Sequence, residues 1–233
     1  MNSREFVDNL LRNKPVNRAG IYDHGPWSAT YTRWIGEGYP TVEKDGKQVP
    51  AYYAEHFGYD MYFAGGWFDA MPLPELREVV KETDEYIITR NGAGASVMNF
   101  KHKVSTPEYI DFSMTSREIW DLKYRPHLLK PDRKRLDIEG TKRSLEKQKA
   151  AGFWTFYGNQ FLWENMRASM GNYCMLESLL LDQDWIHDFN RVYTDFYKSQ
   201  YRILIEEAGR PDGIWIYEDL GYKNGLMCSP KVL

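Results

Sequence analysis

An α/β fold with parallel strands is predicted by three features of this 233-residue chain. Ile214-Trp215-Ile216-Tyr217 is a β-prone apolar run that ends on two carboxylates, Glu218 and Asp219. A long helical segment precedes that run, and Ser229-Pro230 beyond it has the form of an N-cap followed by Pro at the first helical position. Earlier apolar runs end the same way, on Asp23-His24 and on Asn159. Helix, strand, polar loop, helix is one α/β repeat. The run has no polar alternation, which predicts a strand covered on both faces with its tip toward a ligand.

The elements follow in order. Phe6, Val7, Leu10 and Leu11 lie at helical spacing after Ser3, and Pro15 closes that helix. Asn17–Trp27 is the expected first strand, Thr30–Gly38 a helix, and Lys44-Asp45-Gly46-Lys47 a charged turn. Met61–Gly66 is a second strand. Three β-like runs then depart from the repeat: Glu85–Arg90, Ala95–Lys101 and Tyr109–Met114, with Asn91-Gly92 as a hairpin signal. They predict a small antiparallel β insertion at about residues 84–114.

Thr115-Ser116-Arg117-Glu118 matches a capping box and opens a helix toward Leu128. Another helix is expected over 138–150, a third strand over 152–159, and helical pattern from Phe161 to Gly171 and through 176–181. Asp182 caps the longest helix, whose Trp185, Phe189, Val192, Phe196 and Ile203 share a face. The count is about four parallel strands, fewer than an eight-stranded barrel of typically ~250 residues holds. The expectation is one domain over 1–233 that forms the N-terminal portion of a longer protein.

Composition narrows the function. With 42% apolar and 27% charged residues the chain can bury a core, and a net charge of −3 points to neither nucleic acid nor an anionic membrane as partner. Cys174 and Cys228 lack metal-ligand spacing and fit a reducing cytoplasmic setting. The N-terminus lacks an apolar leader core, and no run reaches membrane-spanning length. A small-molecule substrate is the partner class left, and a homo-oligomer is compatible with these features.

Several segments together resemble the uroporphyrinogen decarboxylase superfamily. They are the helix opening at Asn2-Ser3-Arg4-Glu5, Pro15–Ile21, His56-Phe57-Gly58-Tyr59-Asp60, Met114–Trp120, Trp163-Glu164-Asn165-Met166-Arg167 with Met170-Gly171, and Asp212–Trp215 through to Ser229-Pro230. The resemblance implies a (β/α)8 TIM barrel whose remaining strands lie beyond Leu233. It also implies one of two chemistries. The decarboxylase branch carries an arginine-bearing Arg-Gln-Ala-Gly motif near the first strand, where this chain has Asp23-His24-Gly25-Pro26-Trp27 and no cation to hold substrate carboxylates. The other branch moves a methyl group between a corrinoid protein and a small substrate or thiol. Its zinc enzymes use a His-x-Cys pair and a later Cys, for which the ligands are expected beyond residue 233. The expectation is therefore a corrinoid-linked methyltransferase with zinc and a methylcobamide on a partner protein. The alternatives are a cofactor-free decarboxylase on a porphyrinogen-like or other acidic substrate, and a non-catalytic barrel subunit.

The candidate catalytic residues are Asp219, His24 and Asp23, at strand tips where this architecture collects chemistry. Strand alternation lets only one of Glu218 and Asp219 face a pocket, and the resemblance favours Asp219. The other carboxylate is free to cap a helix or pair with Lys223. His24 beside Asp23 suits general acid–base work, or simply donates to a loop carbonyl. Tyr157, Asn159, Glu218, Glu164 and Trp27 are candidate substrate-binding residues. Tyr157 is equally suited to core packing, and Glu164 to an ion pair with Arg167.

Overall fold

The structure, a computed structural model, describes residues 1–232. In chain order it contains α1 (Ser3–Leu11), α2 (Ser28–Gly36), β1 (Thr41–Lys44), β2 (Lys47–Pro50), α3 (Tyr53–His56) and β3 (Met61–Phe63). Four strands follow: β4 (Arg77–Glu82), β5 (Tyr86–Asn91), β6 (Ala95–Phe100) and β7 (Glu108–Phe112). Next come α4 (Arg117–Ile119), α5 (Ile138–Ala150), β8 (Trp154–Gln160), α6 (Leu162–Leu181) and α7 (Gln183–Glu207). The chain continues with β9 (Gly213–Tyr217), β10 (Gly221–Tyr222) and β11 (Gly225–Leu226). These elements form two compact units, one of 1–65, 140–157 and 211–214, the other of 66–139, 158–210 and 215 onward.

In the first unit β3 runs parallel to β8, pairing Met61 with Trp154 and Phe63 with Phe156. The Asp212 N–H donates to the Thr155 carbonyl and leads β9 along the other side of β8. The Asp212 carboxylate accepts from the Thr155 N–H and hydroxyl, both at 2.9 Å, and pairs with Arg4 of α1 at 2.5 Å. Buried Ala54, Tyr59 and Tyr62 form a cluster with Tyr22, Tyr53 and Phe153. Asp45 and Gly46, both at positive φ, make the tight turn between β1 and β2.

Asp60, 1% exposed, ties this unit's opening loop to its sheet. It accepts both guanidinium nitrogens of Arg18, at 2.7 and 2.5 Å, and the Ile21 N–H at 2.9 Å. Burial pushes its carboxyl up, but the Arg18 and Ile21 hydrogen bonds hold it below the ordinary carboxylate range. A carboxylate whose folded pKa is depressed contributes stability that is present above its unfolded pKa. That contribution is lost as pH falls through the folded value. Asp60→Asn should flatten the decline in stability below about pH 4 relative to the parent chain. Urea denaturation across pH 2–7 checks this, and identical acid limbs would contradict it.

The second unit holds an antiparallel sheet in the order β4-β5-β6-β7. Its β5–β6 turn is fixed by Asn91, whose side-chain oxygen accepts the Ala93 and Ala95 N–H groups. Helix α7 presents Phe189, Tyr193, Tyr197 and Tyr201 at four-residue spacing, so their rings share one face. Phe161 stacks on Tyr197 at 4.4 Å, and Trp120 meets Phe189 at 4.9 Å. The Trp120 indole N–H donates to Asp188. Helix α6 carries Gly171 at φ +72, where a side-chain carbon would press within 2.5 Å of the Phe112 ring. The kink therefore demands glycine.

The closed (β/α)8 barrel expected from the sequence is not what the chain forms. Among the described residues the parallel strands make an open three-stranded sheet, β3-β8-β9. The expected first strand, Asn17–Trp27, contains no strand residue. Gly20, Gly25 and Pro26 interrupt it, and its Ile21 backbone exchanges hydrogen bonds with Asp60, the residue before β3. Nor is β9 covered on both faces, since Ile214 and Ile216 are 44% and 55% exposed. The antiparallel sheet has four strands where three were read, because β4, Arg-Glu-Val-Val-Lys-Glu, is exposed throughout and flanks its two valines with charge instead of alternating apolar and polar residues. The helix expected from 115 to 128 is a single capped turn followed by π and 3-10 turns. Pro126 has no N–H to continue an α-helix. Residues 229–232 form a turn, with the Val232 N–H on the Ser229 carbonyl.

Candidate functional site

A cavity of about 340 Å³ opens in the second unit, large enough for a small ligand. Its walls come from four places: the loop Trp67–Met71 after β3, the β5–β6 hairpin with Tyr109 of β7, the end of β8, and one face of α6. Helical spacing puts Asn165 and Ser169 on the same α6 face.

The loop wall is held from below by Arg135, whose side chain is 4% exposed. Its guanidinium donates to the carbonyls of Asp69, Met71 and Pro72 at 3.0, 2.5 and 3.3 Å. The Asp69 carboxylate accepts the Met71 N–H at 2.8 Å. Burial pushes the Asp69 carboxyl above its ordinary value, against the lowering effects of Met71 and Arg135. Asp69 is the one charged side chain among the described residues lining the cavity, which include no Lys, Arg or His.

The amides around it have fixed orientations. Asn159, fully buried, donates from Nδ2 to the Phe68 carbonyl at 3.0 Å, leaving its Oδ1 buried without a partner. Asn165 is saturated: it donates to the Phe161 carbonyl and the Tyr197 hydroxyl and accepts from Gln160. The Ser169 hydroxyl, on a residue 1% exposed, faces the buried Tyr193 hydroxyl and acts on it as a hydrogen-bond partner. An unpaired buried polar atom is costly, and the Asn159 Oδ1 on this cavity wall marks a place for a hydrogen-bond donor. Trp67 and Tyr109 add half-exposed aromatic surface. A smaller cavity of about 110 Å³ shares Tyr109 and Ala168 and holds the Glu164–Arg167 ion pair at 2.6 Å.

The sequence candidates fall in different places. Asp23, His24 and Trp27 are exposed on the opening loop of the first unit, and the Asp23 carboxylate accepts the His24 backbone N–H. Tyr157, in the same unit, is fully buried, and burial raises its hydroxyl to about 12. Asn159, Glu164, Glu218 and Asp219 belong to the second unit, and Asn159 lines the larger cavity. Asp219 is exposed and accepts the Tyr217 hydroxyl at 2.9 Å.

Glu218 has a defined task. Phe161 sits at the N-cap of α6 and offers no capping side chain, so Glu218 reaches in from the end of β9. Its two oxygens accept the Trp163 and Glu164 N–H groups at 3.1 and 2.9 Å. Glu218→Ala should cost about 1 kcal/mol, the usual value of a lost N-cap. Chemical denaturation measures it, and an unchanged midpoint would contradict the capping role.

Asp69, Ser169, Asn91, Gln160 and Asn165 line the cavity but were not among the site residues expected from sequence. Asp69 had a weak signal, a carboxylate a few residues beyond the apolar run Met61–Gly66. Ser169 had none, because a serine inside a helical pattern reads as an ordinary packed position.

Among the described residues no three His, Cys, Asp or Glu side chains gather to hold a metal ion. No helix among them is long and apolar enough to cross a membrane. Comparison with protein-family models, curated proteins and solved structures finds no match to this chain.

Proposed function

We propose that the chain binds the small substrate of a methyltransferase in the amide-lined cavity, and that the methyl group passes between that substrate and a corrinoid protein or thiol. One observation carries this choice: the cavity lining combines Asp69, Asn159 and Ser169 with no cationic side chain among the described residues. A porphyrinogen or other polyacid would need arginine or lysine to replace the water around its carboxylates. The lining therefore favours the methyl-transfer branch of the uroporphyrinogen decarboxylase resemblance over the decarboxylase branch. A partner corrinoid or a thiol would supply the nucleophile.

The residues present would do the binding and orientation. Asn159 is locked by its own hydrogen bond to Phe68 and offers an acceptor. Fixed groups of this kind would orient the substrate, and holding reacting atoms in place removes part of the entropy cost of a displacement. The test is incubation with methanol, methoxyarenes and methylamines plus a reduced corrinoid or thiol acceptor, following loss of the donor methyl by proton NMR. Demethylation of one donor class that falls at least tenfold in Asn159→Leu is expected. Carbon dioxide release from an acidic substrate, or no turnover with any donor, would overturn the proposal.

A further inference from the structure

The larger cavity is acceptor-rich. Asp69 contributes a carboxylate with one oxygen already used by Met71, and the Asn159 amide is turned so that its oxygen, not its nitrogen, is unpaired. Arg135 lies nearby, but its guanidinium is spent on three backbone carbonyls and Asp132. Aromatic faces are present in Trp67, Phe68 and Tyr109. A carboxylate, an unpaired amide oxygen and aromatic rings, without a competing cation on the lining, attract positive charge and N–H donors.

We infer that the cavity takes a small protonated amine, its N–H directed to Asp69 and Asn159 and its methyl groups lying against Trp67 and Tyr109. This rests on the cavity being the substrate site and names the class of substrate. Such an amine suits the transfer chemically. Attack on a methyl of trimethylammonium breaks one C–N bond, the electron pair stays on nitrogen, and neutral dimethylamine leaves without needing a proton. The new bond to carbon uses the lone pair of the thiolate or reduced corrinoid.

The test is calorimetric titration of the whole chain at pH 8 with four compounds of matched shape: trimethylammonium, tetramethylammonium, tert-butanol and pivalate. Trimethylammonium should bind at least tenfold more tightly than tert-butanol, tetramethylammonium should fall between them, and pivalate should not bind. Asp69→Asn keeps an acceptor for the Met71 N–H and removes the charge. It should weaken trimethylammonium at least tenfold and leave tert-butanol unchanged. Equal affinity for pivalate or tert-butanol, equal losses for both ligands in Asp69→Asn, or binding of none of the four overturns the amine assignment. Binding as expected without methyl loss in the turnover assay would instead remove the methyl-transfer reading and leave the ligand class standing. Turnover confined to an ether or alcohol donor would do the reverse.

Discussion

Gly92→Ala should destabilise the second unit by about 3 kcal/mol, the upper part of the range for forced overpacking. A side-chain carbon at Gly92 would collide with the Leu73 backbone carbonyl, and backbone cannot rotate away as a side chain can. The same approach is used constructively, since the Leu73 N–H donates to the Gly92 carbonyl at 3.1 Å. The collision therefore pushes on the loop that carries Asp69. Urea denaturation gives the stability loss, and ligand affinity should fall in parallel. A variant with parental stability would mean that the loop and hairpin are not in contact as described.

Arg135→Met should cost a similar amount, about 3 kcal/mol, by a different route. Methionine keeps much of the stem beside Phe196, whose ring lies 5.0 Å from the guanidinium. What is lost is the donor to the Asp69, Met71 and Pro72 carbonyls. Buried carbonyls without partners carry the desolvation penalty in full. Arg135 also lowers the Asp69 pKa, so its removal should move the Asp69 titration upward, away from the ordinary carboxylate range. Carbon-13 NMR of the Asp69 carboxyl reads this directly. A downward shift would show that Arg135 does not act on that group.

Local pattern explains which parts of the fold were legible in the sequence. Helix α5 occupies 138–150 as its periodicity requires, and Asp182 caps α7 by accepting the Trp185 N–H. The Asn91 hairpin was legible because its turn chemistry lies within five residues. Parallel pairing is not local. Nothing within Asn17–Trp27 announces that its backbone meets β3 through an aspartate at position 60 instead of a strand ladder. The step from separate strands to a closed barrel rested on resemblance, and the open three-stranded sheet corrects it.

The site divides along the same line. Asn159 was legible because it ends an apolar strand. Its partner Phe68, the Arg135 clamp and Ser169 come from segments far apart in the chain, and only the fold brings them to one cavity. Glu218 looked chemical from sequence, yet its two oxygens go to the N-terminus of α6. A carboxylate at a strand tip serves a helix end as readily as a substrate.

The most direct measurement of the central claim is the side-chain amide spectrum of nitrogen-15-labelled protein during titration with trimethylammonium. The Asn159 and Gln160 amide signals should shift and saturate together, while backbone signals of Asp23 and His24 stay in place. Saturating shifts at Asp23 and His24 with Asn159 unmoved would put the ligand elsewhere and contradict the account.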